Sequence, residues 1–246
     1  MSFSTIRLSA HAGIAEVRLA RPDAGNPIDD RFLGELERAC TALHDDPSVR
    51  VVLLTAEGGI FSAGGDARPP EGTLALRCIE AMSPPVIACL EGDAAGAGLE
   101  LALACDVRVA AEDARFSMPQ AAAGGLPRLG GTQRLARAAG RARALELLLL
   151  GETIDGRTAA AWGLVNAALP RGETRARSEA LASAIAARGP LAVRYAKEAA
   201  LRGADLPLDQ ALRYETDLTV ILQTTADRAE GVRAFIEKRE PRFEGK

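Results

Sequence analysis

The chain has 246 residues, 48% hydrophobic and 26% charged, with a formal net charge of −3. That is enough for one large domain, or one domain with a small appendage. The slight acidic excess argues against a nucleic-acid binder, which draws on a basic surplus. No run approaches the roughly 18 apolar residues of a membrane span. The four cysteines, Cys40, Cys78, Cys89 and Cys105, form no CxxC pair and lie in apolar stretches, so they read as buried free thiols. The two histidines, His11 and His44, fall in polar or turn-like surroundings, which makes a His-based metal site an unfavoured reading. The first residues show no charged-then-apolar-then-cleavage pattern, and a cytoplasmic location is the expectation.

The chain opens as β structure. Residues 3–9 and 14–19 alternate apolar and polar around a turn at Ala12-Gly13. Arg21 to Pro27 is loop by composition. Asp29 can cap a helix with apolar positions at Phe32, Leu33, Leu36, Ala39, Cys40 and Leu43, ending at Pro47. Val51–Leu54 is continuously apolar, as a strand buried on both faces would be. A glycine-rich loop covers 57–72, followed by a short helix near 73–82 and a second buried strand, Val86–Leu90. Gly92–Gly98 is small and flexible and leads into a helix at Leu99–Ala104; Val107–Val109 reads as a strand. From residue 131 the pattern turns helical, over 131–149, 156–162, 174–187, 190–201, 207–223 and 225–239. Strands alternating with helices, then a helical tail, predict an α/β core with a C-terminal helical part. The boundary is expected within 185–205.

Three glycine-rich segments carry the candidate chemistry: Phe61–Asp66, Gly92–Glu100 and Gly124–Arg134. Gly96-Ala97-Gly98 begins like a dinucleotide fingerprint, but Leu101 occupies its last glycine position, and no GK[ST] is present. Small residues at a strand-to-helix junction leave backbone N–H groups unhindered, and a helix N-terminus adds partial positive charge. Two such N–H groups could hold a carbonyl oxygen that gains charge in a reaction. The same glycines could equally serve tight turns and close strand–helix packing. Glu100 favours the first reading. It lies within AGAGLELALACD, and burying a carboxylate without partners is costly. Ala97 and Glu100 are three apart, on one helix face. Helical side chains lean toward the N-terminus, which points the carboxylate back toward the Ala97 N–H. A salt-bridged structural glutamate is the alternative.

With these residues in view, the chain resembles the crotonase (enoyl-CoA hydratase/isomerase) superfamily. The resemblance runs through RPDAGNPID, FSAGGD, PVIACLEGDAAGAGLELALACDVRVAAEDARFSMP, GGLPRLGGTQRL and EGVRAFIEKREPRFEGK, in order and over nearly the whole chain. It implies an α/β fold made of a spiral of β-β-α turns, with a core over 1–195 and a C-terminal helical trimerisation region over 196–246. It implies an acyl-CoA substrate, with coenzyme A as part of the substrate and no separate cofactor or metal. It also implies a homo-trimer or dimer of trimers, without nucleic-acid or membrane partners. By position, Gly65 and Ala97 would be the oxyanion N–H donors, and Glu100 a general base or acid. Ala24, Ala63, Gly64, Asp66, Arg68, Gly92, Gly96, Pro119 and Leu126 would line the substrate and CoA site. Arg68 falls where a basic residue often meets a CoA phosphate, although a solvated loop arginine fits as well. Phe235 and Lys238 would approach a neighbouring subunit's CoA.

The sequence departs from that family at one proton-transfer position. Typical hydratases carry a second glutamate after the proline of an FxxPE segment, whereas this chain reads Phe116-Ser117-Met118-Pro119-Gln120. An amide holds a substrate or water but does not transfer a proton near neutral pH. Weak or absent crotonyl-CoA hydration is therefore expected. Glu91 and Asp93 stand where relatives commonly have neutral residues; for Asp93 a polar contact within the turn is the preferred reading over catalysis. Trp162, Tyr195 and Tyr214 read as packing residues. The loop 66–76, with Pro69, Pro70 and Gly72, is expected to shape the acyl pocket. Three functions stay open: a hydratase/isomerase-type enzyme, another crotonase reaction (double-bond isomerisation, hydrolysis or decarboxylation), and a non-catalytic acyl-CoA binder.

Overall fold

The computed structural model describes residues 2–68 and 76–246. The proline-rich stretch from Pro69 and the start of the helix expected near 73 lie outside the described residues. Strands β1 (Ile6–His11) and β2 (Ile14–Leu19) form an antiparallel hairpin. Its two turn residues, Ala12 and Gly13, both have positive φ, matching the right-handed twist of the flanking strands. β1 begins at Ile6, later than the alternation from residue 3 suggests, because Ser4 and Thr5 are engaged elsewhere. Their backbone N–H and hydroxyl groups all donate to the Glu35 carboxylate, at 2.7–3.1 Å. Glu35 projects from α1 (Asp30–Asp45), whose N-terminus is capped by Asp29 accepting from the Phe32 N–H at 2.8 Å. The face buried by α1 is Phe32, Leu36, Ala39, Cys40 and Leu43.

From there the chain repeats one unit. β3 (Val51–Ala56), β4 (Ile60–Ser62) and α2 (Arg77–Glu80) make one turn; β5 (Val86–Leu90), β6 (Asp93–Ala95) and α3 (Ala97–Leu103) make the next. β7 (Val107–Ala111) and β8 (Arg115–Ser117) follow, with a 3-10 turn at Pro119–Ala123, then α4 (Gly131–Ala139) and α5 (Arg141–Leu150). The run 131–149 is split by Gly140, whose φ of 79° and ψ of 157° leave the helical region. β9 (Thr153–Asp155), α6 (Gly156–Ala161) and β10 (Ala167–Leu169) complete the spiral. Each turn sends its first strand to one sheet and its second to another. The larger sheet has order β1-β2-β3-β5-β7-β10, parallel after the hairpin. The smaller has order β4-β6-β8-β9. This smaller sheet is absent from the sequence-based expectation, which read Gly92–Gly98 as flexible. Its strands are three residues each, too short to show a period.

The core lies mainly between the sheets, α1 and α3. The opposite face of β3 and β5 (Val51, Leu53, Ile87 and Cys89) packs on Ala182 of α7 (Arg171–Ala186). β3 and β5 are therefore covered on both faces, as their unbroken apolar runs require. Three helices follow: α8 (Pro190–Gly203), α9 (Leu208–Gln223) and α10 (Ala226–Glu237). A division after residue 195 falls inside α8. The tail returns to the core: Arg50 donates to the carbonyls of Ala186, at 3.1 Å, and Phe243, at 2.7 Å. Among the described residues, no helix is long and apolar enough to cross a membrane. All four thiols are free, with Cys40, Cys89 and Cys105 buried and Cys78 half-buried.

Glu35 links pH to stability. Burial opposes its ionisation, but the donors of Ser4 and Thr5 outweigh that and hold its carboxyl near 2. The stabilisation is full above the unfolded value of about 4.3 and is lost as pH falls toward 2. Glu35→Gln therefore lowers Tm by about 3–8 °C at pH 7. In thermal melts from pH 7 to 2.5, the gap between variant and parent narrows on acidification.

Candidate active site

β4 delivers Ser62 into a tight seam with the loop that precedes α1. The buried Ser62 hydroxyl donates to the Asn26 carbonyl at 2.7 Å and accepts from the Gly64 N–H at 3.2 Å. The Ala63 N–H donates to the Gly25 carbonyl at 2.8 Å, and the Ile28 N–H to the Gly64 carbonyl at 2.9 Å. Asn26 braces this loop from within, its amide donating to the carbonyls of Glu57 and Ile60. Gly65 lies so close to the Ile28 backbone that any Cβ would overlap it. The seam brings Gly25 against Ala63 and sets Gly64 against the Ala95–Ala97 stretch of the next turn of the spiral. A Cβ at Gly64 would stand 3.8 Å from the Ala97 nitrogen.

That second turn is the β6–α3 junction. Gly96 adopts φ 50° and ψ −119°, a combination that side chains resist. Its N–H donates to the Ser117 carbonyl at 2.9 Å, which ties the junction to β8. Ala97 is the first residue of α3, where N–H groups have no intrahelical acceptor. Among the described residues, neither the Gly65 nor the Ala97 N–H donates to a protein acceptor. The chain after β8 brings Pro119 and Gln120 over the same junction. The Gln120 Nε2 lies 3.3 Å from the point a Cβ on Gly96 would occupy. The Gln120 Oε1 is buried with no hydrogen-bond partner, an acceptor left unsatisfied in the side chain that meets Gly96.

Glu100, one turn into α3, is only 1% exposed. Its Oε2 accepts from the Leu129 N–H and its Oε1 from the Gly131 N–H, each at 3.0 Å. The carboxylate thus sits at the N-terminus of α4, where free N–H groups and the helix dipole favour negative charge. The approach is close: a Cβ on Gly131 would lie 2.5 Å from Oε1. Burial raises the Glu100 carboxyl above the ordinary glutamate value, and the N–H groups of Leu129 and Gly131 only partly oppose it. Among the described residues Glu100 makes no ion pair, so backbone donors stand where a salt bridge was the alternative. Sequence reasoning marked the segment Gly124–Arg134 but not its part in holding Glu100. The visible signal is the doublet Gly130-Gly131 ahead of a helix.

The remaining candidates are spread more widely. Asp66 and Arg68 are exposed at the end of the same loop, with the Arg68 N–H donating to Asp30 at 2.6 Å. Leu126 is largely exposed, in the segment before α4. Gly92 is a packing residue: it stands at the opposite end of β6 from Ala97, where a Cβ would overlap the Gly59 carbonyl. Asp93 accepts from the Arg115 N–H at 2.9 Å, a polar contact between strands rather than within its turn. Trp162 packs beneath the Arg143 guanidinium. Tyr214 donates to Glu198 and lies under Arg202, so it belongs to a polar surface cluster. Phe235 and Lys238 lie at the C-terminal end of α10, Phe235 fully in the open. Among the described residues no three His, Cys, Asp or Glu side chains gather as metal ligands would.

Comparison with known proteins agrees with this architecture. The family model described as enoyl-CoA hydratase/isomerase matches residues 9–246. A probable mitochondrial enoyl-CoA hydratase 2 of Arabidopsis thaliana is 39% identical, covering 97% of this chain and 84% of that protein. A crotonyl-CoA hydratase of Syntrophomonas wolfei is 36% identical over 99% of both chains. The solved enoyl-CoA hydratase of Bacillus anthracis superposes with a TM-score of 0.93, at 34% identity, over 99% of this chain and 100% of that one. Matched in sequence and in fold from end to end, the chain belongs to the enoyl-CoA hydratase/isomerase family, within the crotonase superfamily that its motifs resemble.

Proposed function

We propose that this acyl-CoA enzyme binds its thioester carbonyl between the N–H groups of Gly65 and Ala97 and uses Glu100 as its one proton-transferring side chain. The observation that carries the reading is the arrangement around the β6–α3 junction. Two unpartnered N–H groups stand on adjacent turns, and a buried carboxylate of raised proton affinity follows one helical turn later. Donors fixed before the reaction stabilise an enolate oxygen without reorganising. Ala24, Ala63, Gly64, Asp66 and Arg68 flank the CoA portion, and Gly96, Pro119 and Leu126 the acyl end.

Hydration of a 2-enoyl thioester needs an oxygen added at the β-carbon and a proton at the α-carbon. Gln120 cannot supply that proton. In this reading Glu100 takes the proton from the attacking water as its oxygen bonds to the β-carbon, then returns it to the α-carbon of the enolate. The Oε1 of Gln120 accepts a hydrogen bond from the water or the new hydroxyl. The same oxyanion donors serve double-bond isomerisation, hydrolysis or decarboxylation, and the amide at position 120 favours such a reaction over two-carboxylate hydration. The relative named crotonyl-CoA hydratase makes crotonyl-CoA the first substrate to test. Wild-type turnover is weak, and Gln120→Glu raises it by about 10²–10⁴-fold, the usual worth of a general acid–base group. Glu100→Gln abolishes turnover of every acyl-CoA tried while calorimetry still shows CoA-ester binding. Wild-type hydration at the rate of an efficient hydratase, or unchanged turnover in Glu100→Gln, would overturn the reading.

The assembly we propose is a homo-trimer or dimer of trimers built on the C-terminal helices. Leu208, Phe235 and Ile236 are 72%, 85% and 72% exposed, large apolar side chains on the last two helices that an assembly would take out of water. Light scattering after gel filtration should give three or six times 25.7 kDa. Phe235→Asp with Ile236→Asp should shift the peak to smaller species; a wild-type monomer would refute the assembly.

A further inference from the structure

The hydrogen bonds that hold Glu100 come from a loop that is itself held in place. Arg134, on the second turn of α4, folds back over Gly130, whose missing side chain makes room for the guanidinium. Its Nη1 donates to the Leu129 carbonyl, and its Nε donates to Glu80 of α2 at 2.6 Å. Leu129 lies between these groups: it donates its N–H to Glu100 and offers its carbonyl to Arg134. The guanidinium is mostly buried and Glu80 about one-third exposed, so the pair is only partly screened by solvent. The fork geometry of arginine lets one side chain reach carboxylate and carbonyl together, which a lysine ammonium does less well.

We infer that Arg134 is a positioning residue for Glu100: clamped by Glu80, it fixes the Leu129–Gly131 backbone that cradles the carboxylate. The inference rests on the proposed role of Glu100 for its consequence in turnover, but its structural core stands independently. Arg134 also acts on Glu100 through its charge, in the direction that favours the carboxylate. The charged groups on the elements packed against α3 are few. α4 carries Arg134 and Arg137, β6 carries Asp93, and β4 carries none. Arg137 is exposed toward Asp205, and Asp93 is taken up by the Arg115 N–H. Arg128 in the intervening loop is exposed and meets Glu100 through its backbone. Arg134 is thus the cation whose removal is expected to move the Glu100 titration.

The test is an infrared titration of the full-length protein with isotope-labelled glutamate, the Glu100 carboxyl being assigned by its loss in Glu100→Gln. Arg134→Gln is expected to move the Glu100 midpoint to higher pH. Glu80→Gln should move it the same way by less, and Arg134→Lys should fall between wild type and Arg134→Gln. With whichever acyl-CoA the wild type turns over, Arg134→Gln should lower kcat about tenfold with KM within about twofold. The acid limb of its pH profile should shift with the infrared midpoint. A Glu100 midpoint unchanged in both Arg134→Gln and Glu80→Gln, with circular dichroism showing the fold intact, would overturn the assignment. If no acyl-CoA is turned over at all, the proposed function fails while the infrared result still decides the positioning role.

Discussion

A carboxylate buried in an apolar helix must find donors or stay protonated, and the centre of this molecule is arranged around that requirement. Glu100 sits on α3 among Leu99, Leu101 and Ala102, all without exposure. It escapes the full cost of burial because the first residue of α4 and the loop before it turn two N–H groups toward it. The Gly131 N–H is unpaired by the geometry of any helix N-terminus, and the Leu129 N–H comes from the loop just ahead of the α4 N-cap. Burial and hydrogen bonding act in opposite directions on Glu100, and burial prevails.

The spiral supplies the positions for the proposed chemistry through its smaller sheet. β4, β6 and β8 are neighbours, and each ends in a segment that faces the others' ends. Ser62 to Gly65 leave β4, Gly96 and Ala97 leave β6, and Pro119 and Gln120 leave β8. Parallel pairing therefore brings together residues far apart in the chain, as in other α/β folds whose sites lie beyond the carboxyl ends of parallel strands. The same device puts the unpartnered Gln120 Oε1 beside the junction. A polar atom buried without a partner is uncommon in folded proteins and marks a place where another molecule is expected to complete the bonding.

Membership of the family does not by itself fix the reaction. The proposed oxyanion donors are backbone groups, which persist whatever the side chains become; Ala97 keeps its N–H as a glycine would. The proposed proton-transfer groups are side chains, and an amide in place of a carboxyl, as at position 120, removes a proton donor and acceptor. Physical chemistry at two or three side chains, more than the fold, separates hydration from its alternatives.

Much of the fold could be read from the residues. β2 and β5 fall where the alternation and the apolar run place them, and Asp29 caps α1 as its side-chain chemistry suggests, because these signals are local and repeat over several residues. The sequence also marks Glu100 as a candidate, since a carboxylate among alanines and leucines is an anomaly on the page, while Gly65 and Ala97 are named through the resemblance to the family. The smaller sheet, the packing of Gly92 on Gly59, and the cradle of Leu129, Gly131 and Arg134 emerged only in three dimensions. Three-residue strands carry no period, and a backbone N–H leaves no trace in the identity of its residue. A hydrogen bond between Glu100 and Gly131 joins positions 31 apart, so what decides it is how the helices pack, which no local pattern encodes.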